Sequence, residues 1–265
     1  MESNRLKNKN VVITGSSSGI GLLIANQCAE RGAHLVLLAR RLDKLEKIQK
    51  EIQKQYSVSV HVYKLDVSDT SEIKRVFTKI IAELGRIDIL VNNAGYGLFR
   101  AAHEAEMDQV KGMFNVNVIG LIACTSMVLP MMMNQKSGHI INIASQAGKI
   151  ATPKSSVYSA TKHAVLGYTN SLRMELSDFQ IKVTAVNPGP IGTDFFTIAD
   201  ESGTYAKSVQ RYILKPEYVA KKVVDAMLTS TREINLPRWM NVGSILFALF
   251  PHLFERVGKR VLNKK

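Results

Sequence analysis

Short β-branched or apolar runs alternate with helical stretches along nearly the whole chain, and this alternation limits the fold more than any other feature. The strand candidates are 11–14, 34–39, 58–65, 87–92, 138–143, 181–187 and 233–236. Between them lie helix candidates at 19–31, 42–55, 70–84, 107–133, 155–179 and 216–229. Strand–helix–strand repetition implies a doubly wound parallel sheet with right-handed crossovers and helices on both faces. With 265 residues, 46% of them hydrophobic, the chain can bury one large α/β core. No repeat or linker divides it. The reading is one domain over 1–236, with a C-terminal extension over 237–265.

The first strand runs into Gly15-Ser16-Ser17-Ser18-Gly19-Ile20-Gly21 and then a helix. Glycines between a strand and a helix let backbone N–H groups approach a pyrophosphate, and the helix N-terminus adds partial positive charge. The spacing is G-x-x-x-G-x-G, not the G-x-G-x-x-G of the usual dinucleotide fingerprint. A glycine-rich turn can also be only a tight connection. Where an NAD site presents an acid at the end of the second strand, this chain has Arg40 and Arg41. Arginine pairs with a ribose 2′-phosphate, so the expected cofactor is NADP(H). The alternative is that these arginines are merely exposed at a helix start. Asn92-Asn93-Ala94-Gly95 closes the fourth strand with small and amide residues that suit a backbone lying against a cofactor, although the sequence also reads as an ordinary turn.

Tyr158 and Lys162 stand four residues apart in a helical stretch, on one face. An ammonium beside a phenol favours the phenolate and lowers its pKa, which makes a tunable proton donor. Hydride delivery to a carbonyl leaves negative charge on oxygen, and that oxygen needs a donor and then a proton.

With these motifs the chain resembles the short-chain dehydrogenase/reductase family over about residues 7–236. The resemblance rests on Thr14-Gly15-xxx-Gly19-x-Gly21, Asp66, Asn92-Asn93-Ala94-Gly95, Asn117, Ser145, Tyr158-xxx-Lys162, and Pro188-Gly189 with Thr193. It implies a Rossmann-type domain with a seven-stranded parallel sheet. It implies Tyr158 as general acid/base, Lys162 on the nicotinamide ribose, Ser145 on the substrate oxygen and Asn117 holding a relay water. It places Asp66 and Val67 at the adenine side, and Asn93, Ala94, Gly95, Pro188, Gly189, Ile191 and Thr193 along the rest of the cofactor. A homodimer or homotetramer is also implied. Each residue has a plainer reading: Ser145 as a helix N-cap, Asn117 as a buried amide satisfied by backbone. His163 points about 100° from Lys162 and reads as packing or surface.

Residues 189–215 read as a substrate lid, with Phe195, Phe196, Ile198, Tyr205 and Tyr212 beside Lys207 and Arg211. An apolar lid with a few cations suits a hydrophobic carbonyl or alcohol; equally, the aromatics can simply pack the lid on the body. Residues 112–135 carry no formal charge, yet Asn115, Asn117 and Pro130 interrupt them, so they read as a packed helix rather than a membrane span. Residues 239–254 are also uncharged, and Arg256, Lys259, Arg260, Lys264 and Lys265 follow. That pattern fits an interfacial segment, or packing on the lid or a second subunit.

The net charge of +13 comes without a nucleic-acid motif, so no nucleic-acid partner is expected, and no metal site either. Cys28 and Cys124 read as buried small hydrophobes. The opening residues lack the apolar stretch of a signal peptide, which sets a cytoplasmic expectation with membrane-peripheral contact as its variant. The leading function is an NADPH-dependent oxidoreductase. The competing ones are a nucleotide-binding regulatory protein and a membrane-peripheral interaction protein, neither with significant turnover.

Overall fold

A computed structural model describes residues 5–195, 199–200, 210–252 and 256. Its elements are β1 Asn10–Thr14, α1 Gly19–Glu30, β2 His34–Ala39, α2 Leu42–Gln55, β3 Val60–Lys64, α3 Thr70–Leu84 and β4 Ile89–Asn92. There follow α4 Met107–Phe114, α5 Leu121–Gln135, β5 Gly138–Ile143, α6 Ser156–Glu175, β6 Ile181–Pro188, α7 Pro216–Ala226, β7 Glu233–Leu236 and α8 Arg238–Leu249. The strands form one parallel sheet in the order β3-β2-β1-β4-β5-β6-β7.

The central strands are buried on both faces, which is why they read as unbroken apolar runs rather than alternating ones. Val11 and Ile13 pack on one side with Ile24, Leu45 and Val223; Val12 packs on the other with Phe77, Val128 and Leu172. Two layers of helices therefore sandwich the sheet. In α3, Ile73, Val76, Phe77 and Ile80 make the buried stripe expected of an amphipathic helix. Asp69 caps its start by accepting from Ser71 N and Glu72 N, and Gly85 ends it at φ 64°.

Several boundaries differ from the sequence reading. The β3 and β4 strands are shorter than 58–65 and 87–92, because Val58 N turns back to Tyr56 O and Asp88 N joins Asn10 O ahead of the regular ladder. The helix expected over 107–133 is interrupted by a π turn, Asn115–Gly120, where Gly120 lets α5 press on the backbone carbonyl of Val67. The helix expected over 216–229 stops at Ala226. The apolar stretch Met107–Gln135 is long enough to cross a membrane by composition, but α5 packs against α3, β4 and β5. Within the extension, 238–249 is helical.

Candidate active site

Strand order reverses between β1 and β4: the chain runs outward through β2 and β3, then crosses to the other side of β1. A crevice opens at the carboxyl ends of the strands there, the usual ligand position in an open α/β sheet. Nearly all the residues predicted from sequence converge on that edge.

Thr14 ties the two sides of the crevice together. Its Oγ1 accepts from Asn93 N and Ala94 N, both at 3.0 Å. Asn93 Nδ2 returns to Thr14 O at 2.9 Å and Gly15 O at 3.0 Å. Gly15 has φ +65°, and a Cβ there would lie 2.8 Å from Ala94 Cα. A Cβ on Gly21 would lie 2.5 Å from Asn93 Nδ2. Both positions thus demand glycine, and the turn brings backbone N–H groups to the start of α1. Ser16 is buried, its hydroxyl directed to Leu38 O, so its side chain supports the turn from within. Ser17 and Ser18 face the other way: Arg41 Nη2 donates to their hydroxyls at 3.0 and 3.3 Å. Arg40 is exposed and lies within electrostatic reach of Tyr96, whose phenol burial pushes up while the Arg40 charge opposes the rise.

Asp66 and Val67 follow β3. Asp66 Oδ1 accepts from Ser68 N and Oγ at 2.9 and 2.8 Å, and its N–H donates to Glu72 Oε2 at 2.8 Å. Gly95 turns the β4 end toward α6; a Cβ there would sit 3.1 Å from Asn117 Oδ1 and 3.7 Å from Lys162 Nζ. Asn117 lies in the π turn. Its Oδ1 accepts from Tyr96 N at 3.0 Å, and its Nδ2 donates to Tyr96 O at 2.8 Å and Thr161 Oγ1 at 3.1 Å. The amide is thus satisfied largely by backbone, and it fixes the 95–97 turn.

Tyr158 and Lys162 lie one turn apart on the buried side of α6. Lys162 Nζ donates to Ile143 O at 2.8 Å and stands 5.8 Å from the Tyr158 ring centroid. Burial lowers the lysine pKa to about 8, because desolvation disfavours the ammonium. Ser145 Oγ accepts from Ala147 N at 3.1 Å, capping the short helical turn Gln146–Gly148, and donates toward Pro188 O at 3.4 Å. That turn presses on α6: a Cβ at Gly148 would lie 2.7 Å from Lys162 O. His163 Nδ1 sits 2.8 Å from Ser159 O, off the site as expected.

Beyond Pro188, Gly189 N donates to Leu236 O at 2.6 Å and Ile191 bridges Leu214. Thr193 returns over the glycine turn, where its Cγ2 lies 3.8 Å from a Cβ placed on Gly19. Phe196, Ile198, Tyr205 and Lys207 of the predicted lid, and Lys259, Arg260, Lys264 and Lys265 of the tail, fall outside the described residues. Tyr212 is half exposed and packs on Trp239, with ring centroids 5.4 Å apart.

Sequence reasoning missed Gly97 and Phe99. The Phe99 and Phe195 rings flank Tyr158, with centroids 5.8 and 5.7 Å away, and Phe99 N donates to Ala199 O at 2.8 Å. A Cβ on Gly97 would meet Tyr158 Cδ2 at 2.9 Å. An aromatic and a glycine just past a turn carry no periodic signal; only the fold brings them to α6.

The profile described as short chain dehydrogenase matches residues 9–202. An uncharacterized oxidoreductase of Staphylococcus saprophyticus is 39% identical over 83% of this chain and 90% of its own. The NADP-dependent 3-hydroxy acid dehydrogenase of Schizosaccharomyces pombe is 36% identical over 84% and 88%. Among solved structures, a short-chain dehydrogenase from Sphingobium yanoikuyae in complex with NADPH superposes with a TM-score of 0.80 at 26% identity, covering 92% and 96%. The chain belongs to the short-chain dehydrogenase/reductase family of oxidoreductases. A nicotinamide dinucleotide fits the residues present: Gly15 and Gly21 close the turn tightly on Ala94 and Asn93, while a Cβ at Gly19 would meet nothing nearer than Thr193 Cγ2 at 3.8 Å, which leaves that stretch of backbone open to a pyrophosphate.

Proposed function

We propose that this chain is an NADP(H)-dependent oxidoreductase that interconverts a carbonyl and a secondary alcohol on a hydrophobic small molecule, with Tyr158 as general acid/base. The observation that carries it is the buried Lys162 ammonium beside the Tyr158 ring, at the same crevice as the Gly15–Gly21 turn. The bound nicotinamide supplies or accepts the hydride. Tyr158 Oη gives its proton to the substrate oxygen in reduction and takes it back in oxidation. Lys162 makes the phenolate accessible near neutral pH and holds the ribose hydroxyls. Ser145 Oγ, already seated at its turn, hydrogen-bonds the substrate oxygen. Asn117 fixes the turn over the lysine and belongs to the proton relay.

Along the cofactor, Gly15, Ser17, Ser18, Gly19, Ile20 and Gly21 hold the pyrophosphate. Arg40 and Arg41 hold the 2′-phosphate, Asp66 and Val67 flank the adenine, and Asn93, Ala94, Gly95, Pro188, Gly189, Ile191 and Thr193 line the nicotinamide half. The relatives named for NADP support that choice. The rings of Phe99 and Phe195 around Tyr158 support an apolar substrate. The catalytic unit is 1–236 with its lid at 189–215; the protein acts as a homo-oligomer. Two buried free thiols suit the reducing cytoplasm, with the C-terminal extension as the candidate for membrane contact.

A screen of NADPH oxidation across ketones of graded chain length tests the reading. Wild type should turn over the longer apolar ketones, while Tyr158→Phe should bind NADPH and oxidise almost none. Equal rates for the two proteins would overturn it.

A further inference from the structure

Helix α8 leaves one face largely exposed among the described residues, with the Trp239 ring packed on Tyr212 at its edge. Trp239, Val242, Ile245, Leu246, Leu249 and Phe250 are each between 49% and 64% exposed. They recur at helical spacing and form a single stripe. Six of the thirteen large apolar side chains left exposed by the described residues fall in this one helix and its last turn. A concentrated apolar patch of this kind marks an interaction surface. The opposite face of α8 is seated: Met240 Sδ lies 2.9 Å from a Cβ placed on Gly189, and Asn241 Oδ1 accepts from Lys149 at 3.4 Å. The stripe is therefore held outward by a fixed inner face.

Charge selects the occupant. No acidic residue occurs from 234 to 254, and Arg238 opens the helix. The sequence beyond carries Arg256, Lys259, Arg260, Lys264 and Lys265 against Glu255 alone. A second copy meeting this face about a two-fold axis would set the same basic segment against itself. An anionic lipid surface has the opposite sign and accepts the apolar stripe and the Trp239 ring at the headgroup boundary. We infer that α8 docks in plane on an anionic membrane surface, with its apolar stripe in the interface and the flanking cations over the headgroups. This docking does not depend on turnover. It would bring the Pro188–Gly189 end of β6, one helix away, close to lipid.

Trp239 is the chain's sole tryptophan, so emission excited selectively at tryptophan reads α8 alone. The full-length protein is titrated with vesicles of phosphatidylglycerol and phosphatidylcholine, and separately with phosphatidylcholine alone. Anionic vesicles should blue-shift the emission and sediment the protein, and salt at about 1 M, where the Debye length is about 3 Å, should weaken both. The variant carrying Val242→Ser, Ile245→Ser and Leu249→Ser alters only exposed side chains. It should keep its NADPH binding and melting temperature while binding vesicles at least about tenfold more weakly. No shift and no sedimentation with either vesicle would overturn the inference, as would equal binding by the variant. A blue shift that grows with protein concentration without lipid, with a halved mass in the variant, would assign the face to a second copy instead.

Discussion

Lys162 Nζ lies 5.8 Å from the centroid of the Tyr158 ring, and both side chains are buried on one side of α6. The lysine has exchanged water for one backbone carbonyl, Ile143 O, and its pKa falls from 10.5 to about 8. Below that value the ammonium is present beside the phenol; above it the charge is lost. The free enzyme's kcat/KM for NADPH should therefore fall as pH rises through about 8, and Lys162→Met should show a low, flat profile there. Stability has the opposite sign. Between about 8 and 10.5 the unfolded chain binds more protons at this lysine than the folded one, so the wild type should gain stability relative to Lys162→Met as pH rises through that window. Paired thermal melts at pH 8 and 10 measure the difference.

Arg41 donates to the Ser17 and Ser18 hydroxyls, so it is held over the glycine turn before any ligand arrives. Charge-assisted hydrogen bonds contribute about 1.5–3 kcal/mol each. Removing Arg41 should weaken NADPH binding about tenfold to a hundredfold and leave NADH nearly unchanged. Arg40→Asp should shift the same ratio further, since it puts a carboxylate near the phosphate. Fluorescence titration with both nucleotides gives the ratio; an unchanged ratio in both variants removes this pair from the phosphate site.

Gly97 has no room for a methyl group. A Cβ there meets Tyr158 Cδ2 at 2.9 Å and Phe195 Cζ at 3.0 Å. Gly97→Ala should push the phenol out of line and lower kcat by about tenfold or more, with little change in NADPH affinity. Stopped-flow hydride transfer and equilibrium binding, measured together, separate the two effects.

Thr14 is buried and carries both Asn93 N and Ala94 N on one hydroxyl. Thr14→Val keeps the shape and strands two N–H donors, so it should cost about 1–3 kcal/mol in urea unfolding. Thr14→Ser should recover most of that loss. If serine fails to rescue, packing rather than hydrogen bonding holds the crevice.

Phe77 is fully buried between α3 and the sheet. Phe77→Ala should destabilise the fold by about 3–5 kcal/mol through lost burial and a residual cavity. Because Phe77 lies away from the crevice, NADPH affinity of the folded fraction should not change.

Much of this molecule is legible in local pattern. The central strands announce themselves because both faces are buried, and the helices because one face is. The glycine turn and the Tyr158–Lys162 pair are legible because the chemistry needs particular residues at fixed short spacing. The extent of β3 is less legible, since Val58 and Leu65 are apolar yet lie outside the strand Val60–Lys64. The π turn at Asn115–Gly120 carries no local signal, and the close approach of Gly120 to the Val67 carbonyl joins residues far apart in sequence.

By itself the sequence determined the α/β alternation, the glycine crevice at the end of β1 and the helical pairing of phenol and ammonium, because each depends on residues close along the chain. Only the tertiary structure decided the strand order, the Thr14–Asn93 clasp, the Phe99 and Phe195 walls around Tyr158, and the outward stripe of α8. Those rest on contacts between distant segments. Hydrophobic burial and steric fit select such contacts from the whole chain at once, and no local period records them.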